Sequence, residues 1–374
     1  MIIRSVYPQI QKRLFKGKVI IISGPRQCGK TTLVASLVKS SGKPYLWLNA
    51  DEPDVIEMLR NRTSTFLKSI IGNNKIVVID EAQRINNIGL TLKLIHDQIK
   101  GVQVIVTGSS SLDLLSDINE PLTGRKYEYT LLPFSFEEMK NENGLLNEKR
   151  LLENRMLYGY FPDVVLNPAD EIVHLKMLTD SYLYKDLLMY DGIKKPAAVF
   201  NLLKALALQI GSEVSYNELA QLVGIDKETV EKYIDILEKT FIVFKLNSLS
   251  RNHRNEIKLG KKIYFFDNGV RNAVLNNFSP VELRTDKGAL FENLMVSERY
   301  KFNLFHQRYL NQYFWRTNLQ QEIDFIEEEN GSFNAYEFKW SEKKNPKLSL
   351  SFSRSYPVGE FKFLHKNNFN EFLM

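Results

Sequence analysis

The chain has 374 residues, more than one ordinary core holds and enough for two or three domains. Hydrophobic residues make up 44% and charged residues 25%, a globular composition that excludes a disordered chain, and the longest apolar runs, 19–22 and 76–79, are far too short to span a membrane. A net charge of +6 permits a polyanionic partner without requiring one, and the single cysteine, Cys28, excludes an internal disulfide and a Cys-rich zinc cluster.

The opening Met1-Ile2-Ile3-Arg4 lacks the charged leader, apolar stretch and small-residue cleavage site of a secretory signal, so a cytoplasmic address is expected, with no membrane partner. From Lys18 onward, short β-branched runs alternate with helical stretches, which predicts a parallel sheet with helices on both faces. The expected strands are 19–22, 45–48, 76–79 and 102–106, nearly continuous in apolar residues as doubly covered strands are, with a fifth at 127–132. This first domain is placed at 1–140.

Gly24-Pro25-Arg26-Gln27-Cys28-Gly29-Lys30-Thr31 fits G-x-x-x-x-G-K-[ST] and lies between the first strand and a helical pattern starting at Thr32. Glycines let the backbone curl so that N–H groups and a helix N-terminus face phosphates, Lys30 reaches the β and γ oxygens, and Thr31 ligates Mg²⁺. Residues 24–32 are therefore expected to hold ATP, with Cys28 a spacer in the loop. Asp80-Glu81 ends an apolar strand where ligands of open α/β sheets bind. Asp80 is expected in the Mg²⁺ shell and Glu81 as general base toward water. Thr107-Gly108-Ser109-Ser110 ends another strand in hydroxyls, and Thr107 fits either a γ-phosphate sensor or simple turn chemistry. Arg125, after Gly124, fits either an arginine finger acting in trans within a homo-oligomer or a structural salt bridge.

Residues 141–275 are expected to form a helical lid and a winged helix. Residues 147–208 read as mainly helical, punctuated by Gly159, Pro162, Pro168 and Pro196. Ser215 with Glu218 makes a capping box, Gly224 a helix stop and Asp226 a new N-cap, followed by a strand at 241–246. Outward positions of the second helix mix Glu228, Glu231, Asp235 and Glu238 with Lys227, Lys232 and Lys239, a poor surface for reading DNA. The segment with Arg251, His253, Arg254, Lys258, Lys261 and Lys262 is basic and fits either a grip on a DNA or RNA backbone without base readout or a purely structural or protein-contact role.

Residues 276–374 are expected as a third α/β unit: a helix at 291–300, then strands at 313–316, 322–328 and 333–340. The polar stretch from Lys343 shows no assignable pattern. Asn330-Gly331 is the preferred pair of a two-residue type I′ turn. Counting outward from it, Glu329 meets Ser332, Asp324 meets Glu337 and Glu322 meets Lys339, all on one face. Directly opposed carboxylates repel, and a divalent cation reverses that penalty. Asp324, Glu337 and a third carboxylate, Glu292, form the candidate metal set, with Lys339 placed to activate water. The other reading is an acidic exposed face relieved by Lys339.

The phosphate loop, Asp80-Glu81-Ala82-Gln83-Arg84, Thr107-Gly108-Ser109-Ser110 and Leu122-Thr123-Gly124-Arg125 together resemble the prokaryotic AAA-type ATPases that carry a C-terminal domain of unknown function. Tyr264-Phe265-Phe266-Asp267, Gly288 with Phe291-Glu292-Asn293, Glu322-Ile323-Asp324-Phe325 and Glu337-Phe338-Lys339 are similar to that C-terminal domain, often related to PD-(D/E)XK nucleases. The resemblance implies a RecA-like/AAA+ P-loop sheet, a winged helix and a restriction-endonuclease-like end, and no known substrate. Two functions follow: an ATP-driven enzyme acting on nucleic acid, or a nucleotide-dependent switch whose C-terminal unit binds a partner and catalyses nothing.

Overall fold

The computed structural model describes residues 2–109, 118, 121–180, 193, 195–250, 260–317, 319–343 and 346–374. They fall into two compact units, residues 1–133 with 239–241, and residues 134–238 with 242–374.

In the first unit, α1 (Tyr7–Arg13) precedes β1 (Val19–Ser23), α2 (Lys30–Ser41), β2 (Tyr45–Asn49), α3 (Pro53–Leu59), α4 (Ser64–Ile71), β3 (Ile76–Asp80), α5 (Ile88–Gln98), β4 (Gln103–Gly108) and β5 (Lys126–Thr130). The five strands are parallel in the order β2-β3-β4-β1-β5. β1, β3 and β4 are buried along their whole length and the edge strands β2 and β5 only in part, which is why the central three read as unbroken apolar runs. All five expected strands form, within two residues at their ends. α2 packs Leu33, Val34, Leu37 and Val38 onto this sheet, each burial favouring the fold by about 1.5–3 kcal/mol.

The second unit begins with α6 (Phe136–Asn143), held by a capping box in which Ser135 and Glu138 bond reciprocally at 3.2 and 3.1 Å. It continues with α7 (Leu145–Arg150), α8 (Leu152–Tyr158), α9 (Pro162–Leu166), α10 (Glu171–Leu178) and α11 (Pro196–Leu208). These helices carry core, including a buried Glu148–Arg155 pair at 2.8 Å. β6 (Glu213–Val214), α12 (Tyr216–Val223), α13 (Lys227–Lys239), β7 (Val243–Ser248) and β8 (Lys261–Phe265) follow. Ser215 caps α12 through Glu218 N–H at 3.4 Å, Gly224 ends it at φ 74°, and Asp226 accepts from Thr229 N–H at 2.7 Å to start α13. Arg251, His253, Arg254 and Lys258 lie outside the described residues, as does Ser110.

The chain ends with α14 (Asn268–Leu275), α15 (Lys287–Phe305), β9 (Asn311–Arg316), β10 (Glu322–Glu329), β11 (Ser332–Phe338), α16 (Leu350–Ser353) and β12 (Val358–Leu364). Parallel pairing of Asn247 with Tyr313 joins β7 to β9, so β12-β11-β10-β9-β7-β8-β6 is one seven-stranded mixed sheet. The boundary expected near 275 therefore divides two groups of strands that share a single sheet. The unassigned stretch after Lys343 supplies α16 and β12, the latter parallel to β11.

Candidate functional sites

β1 delivers the loop and β3 the carboxylates to the same end of the first sheet, with β4 between them. Gly24 must lack a side chain, because a Cβ there would stand 1.9 Å from the Leu131 carbonyl oxygen. Gln27 at φ 59° and Gly29 at φ 93° complete the curl, and Gly29 opens α2. Arg4 anchors the loop from outside, donating to Cys28 O at 2.7 Å and Leu132 O at 2.6 Å. Cys28 is buried, its thiol donates to Leu131 O at 3.2 Å, and burial pushes its pKa up, so it is a packed spacer.

Lys30 lies against the loop, donating to Gly24 O at 2.9 Å and Pro25 O at 2.8 Å. Thr31 Oγ1 donates to Asp80 Oδ2 at 3.0 Å, and Thr107 Oγ1 donates to Asp80 Oδ1 while accepting from Glu81 N–H at 3.1 Å. Thr107 thus orients both acidic residues from the middle strand. Glu81 sits at φ 54°, a left-handed conformation that carries its carboxylate away from the strand line, where Gln83 Nε2 donates to it at 2.6 Å and to Ser109 Oγ at 2.9 Å. Pro25, Arg26 and Gln27 span the loop, and Thr32 sits exposed in the first turn of α2.

Arg125 does not join this site in its own chain. Its carbonyl accepts from Val19 N–H at 2.9 Å, at the start of β1, whereas the loop follows the end of that strand. Its guanidinium donates to Asp97 at 3.0 Å and, with His96, holds that carboxyl down at about 2.

In the second unit the hairpin register is the counted one. Glu329 pairs with Ser332 and Phe325 with Tyr336, so the next pair is Asp324 with Glu337, and Asn330 and Gly331 turn at φ 55° and 80°. Against β9, the register of β10 shifts between Ile323 and Ile326, a bulge that re-aims Asp324. Lys339 Nζ donates to Asp324 Oδ2 at 3.0 Å and Glu337 Oε2 at 3.1 Å, while Phe338 N–H donates to Asp324 at 2.8 Å. Burial and then Asp324 push Glu337 up to about 8 against the pull of Lys339. Burial depresses Lys339, but Asp324 and Glu337 outweigh it and hold the ammonium charged.

Glu292, on α15, is near Asp324 but engaged elsewhere. It accepts from Tyr264 Oη at 2.7 Å and from Lys262 Nζ at 3.1 Å, and Lys262, 1% exposed, also pairs with Glu322 at 2.6 Å. Burial raises Glu292 to about 7, with Lys262 opposing and Asp324 adding to the rise. The expected set of Glu292, Asp324 and Glu337 is therefore not assembled as metal ligands: among the described residues no three acidic, histidine or cysteine groups converge to hold a metal. The physical reason is that two ammonium groups already partner the carboxylates. Arg4 carries no motif signal, and Lys262 and Tyr264 reach Glu292 across 30 and 28 positions, so spacing does not mark them as site members; Gln83, two residues from Glu81, lies inside the 80–84 motif without a role assigned to it.

A parallel sheet with a phosphate loop after β1, a carboxylate ending β3 and a polar strand between them defines a nucleoside-triphosphate-binding domain of the P-loop class. Consistent with this, residues 16–140 match the family described as AAA domain, while 149–281 and 287–367 match two families described as domains of unknown function, DUF8612 and DUF4143. The chain is 24% identical over 338 residues to an uncharacterized protein of Methanocaldococcus jannaschii, covering 85% of this chain and 74% of that one. It is 25% identical over 352 residues to an uncharacterized protein of Mycobacterium tuberculosis, covering 93% and 76%. Among solved structures it is similar to the Thermotoga maritima RuvB Holliday junction branch migration motor at 15% identity and a TM-score of 0.33, covering 75% of this chain and 96% of that chain. An overlay that loose says nothing about function. No helix among the described residues is long and apolar enough to cross a membrane.

Proposed function

We propose that the protein is a Mg²⁺-dependent ATPase of AAA type whose second unit acts on nucleic acid. The observation that carries the ATPase half is the chain Thr31–Asp80–Thr107, with Glu81 beside it on the same strand end. Thr31 Oγ1 and Asp80 Oδ2 are adjacent hard oxygens, the donors Mg²⁺ prefers, so these residues fit the ion. Bound there, Mg²⁺ would neutralise phosphate charge. The backbone N–H groups of 26–31 cradle the phosphates, and Lys30 leaves the Gly24 and Pro25 carbonyls to meet them. Glu81, released from Gln83, takes a proton from the attacking water.

The test is steady-state ATP hydrolysis with nucleotide binding measured alongside. Glu81→Gln keeps binding and loses about 10²–10⁴-fold in turnover. A Glu81→Gln variant hydrolysing ATP at the wild-type rate removes Glu81 from the mechanism.

For the second unit, the strands and helices from α11 to β8 support a winged-helix reading, and the division of function among 1–140, 141–275 and 276–374 is part of the same proposal. Asp324, Glu337 and Lys339 support a centre like that of PD-(D/E)XK nucleases, with DNA or RNA as substrate. The fit to a metal is incomplete there, with two carboxylates sharing one ammonium and Glu292 held by Lys262. That pairing favours a second reading, a nucleotide-dependent switch with a catalytically silent C-terminal unit. Incubation with DNA and RNA in Mg²⁺ and ATP separates the two: cleavage abolished by Asp324→Asn supports the nuclease, and no cleavage supports the switch. Arg125 acting in trans within a homo-oligomer is tested by Arg125→Ala, which lowers turnover in an assembled sample and leaves ATP affinity unchanged.

A further inference from the structure

We propose that the edge of the first unit's sheet where its strands begin, opposite the phosphate loop, is a binding surface for single-stranded nucleic acid. A lysine stands at the start of every strand of the sheet or within three residues before it. Lys18 directly precedes β1 and Lys75 directly precedes β3, Lys126 opens β5, and Lys43 and Lys100 lie two and three residues before β2 and β4. The starts are held in line by backbone and side-chain bonds: Lys75 N–H to Pro44 O, Gln103 N–H to Lys75 O and Val19 N–H to Arg125 O, each at 2.9 Å, and Gln103 Nε2 to Lys18 O at 2.9 Å. Strands lie about 4.8 Å apart, so the row is about 19 Å long. That length matches roughly five or six phosphates of one strand at about 3.4 Å each.

The carboxylates of this edge are already engaged, Asp97 with Arg125 and His96, and Glu128 with Lys126. Among the described residues no carboxylate lies within ion-pair distance of Lys18, Lys43, Lys75 or Lys100, and Arg13 and Lys16 at the end of α1 extend the positive row. Aromatic rings stand among these charges. Phe15 is 41% exposed at φ 60°, a left-handed conformation unusual for a bulky side chain, with its N–H donating to Gln103 Oε1 at 2.6 Å and Lys43 Nζ 5.6 Å from its ring. Tyr45 is 52% exposed at the start of β2. Cations that follow a backbone in a line, with partly exposed aromatic rings beside them, suit a single strand whose bases stack on Tyr45 and on Phe15 once Lys43 swings from its ring to a phosphate. The surface adds, on the first unit, a binding site for the nucleic acid on which the second unit is proposed to act, and it rests on that reading.

Fluorescence anisotropy with a labelled 20-nucleotide single-stranded DNA across a KCl series tests it, with ATP hydrolysis as the folding control. Lys43→Glu/Lys75→Glu/Lys100→Glu is expected to weaken binding at least thirtyfold and to lower the slope of log K against log salt by about 2, from three lost contacts at about 0.7 each. Phe15→Ala is expected to weaken binding about tenfold with the slope unchanged. ATP turnover without DNA stays at the wild-type level in both. A triple variant that binds the oligonucleotide as tightly as wild type overturns the surface and leaves the nucleic-acid reading standing. A wild type that binds no oligonucleotide, or binds only vesicles containing phosphatidylserine, overturns both and leaves the ATPase reading standing.

Discussion

Gly24 and Glu337 show how single residues carry their environments. Replacing Gly24 with Ala drives a Cβ into the Leu131 carbonyl oxygen, a backbone atom that cannot rotate away. Gly24→Ala is expected to lose ATP affinity and to destabilise the first unit by more than about 2 kcal/mol, read from urea denaturation. Glu337 binds its proton far more tightly folded than unfolded, at about 8 against an ordinary 4.5. Between those values the folded state keeps a proton that the unfolded state has released, so unfolding free energy falls as pH rises. The stabilising contribution is full below pH 4.5 and lost above 8. Glu337→Gln, which cannot ionise, is therefore expected to raise the melting temperature relative to wild type at pH 8.5 and to change it little at pH 4.5. An equal change at both pH values would place the cause elsewhere.

At the scale of elements, the β10–β11 hairpin is fixed by its turn. Asn330 and Gly331 both lie in the left-handed region, which suits a type I′ turn to the twist of its strands. Gly331→Ala is expected to cost about 1 kcal/mol in urea unfolding, whereas Asn330→Gly is expected to change stability by only a few tenths. The hairpin register was legible because the turn pair and the alternation agreed, and Glu329 does meet Ser332. The bulge at Asp324 was not, since it depends on how β9 pairs with β10. α12 and α13 were likewise marked by Ser215, Gly224 and Asp226, although only half of the expected capping box at Ser215 forms. Asp235 and Glu238, read as outward charges of α13, both pair with Lys245 on β7.

At the scale of the molecule, two compact units carry two chemically different groups of residues, one of hydroxyls, Asp80 and a lysine after a glycine loop, the other of carboxylates shared with lysines. Because Lys30, Thr31, Asp80 and Glu81 belong to the first unit and Asp324 to the second, the proposed ATPase and the proposed nuclease are expected to separate by mutation. Asp324→Asn is expected to leave basal ATP turnover within about twofold of wild type, and Glu81→Gln to leave unchanged any ATP-independent cleavage that the proposed nuclease reading requires. Loss of ATP turnover in Asp324→Asn would show instead that the second centre feeds the first.

The sequence by itself determined the local structures and the pieces of chemistry they carry. The five strands, the phosphate loop, Asp80-Glu81 and the carboxylate hairpin all follow from short-range signals: apolar runs, glycine where the backbone curls and the Asn-Gly turn. Tertiary structure decided which pieces meet. The insertion of β4 between β1 and β3 puts Thr107 on Asp80, the β7–β9 pairing merges strands expected in separate domains, and Lys262 reaches Glu292 from β8. Strand order and the buried Lys262–Glu292 pair depend on packing between residues dozens of positions apart, and neither leaves a periodicity in the chain. The same cause hid the lysine row: five residues scattered between Lys18 and Lys126 become one edge only when parallel pairing brings the strand starts side by side.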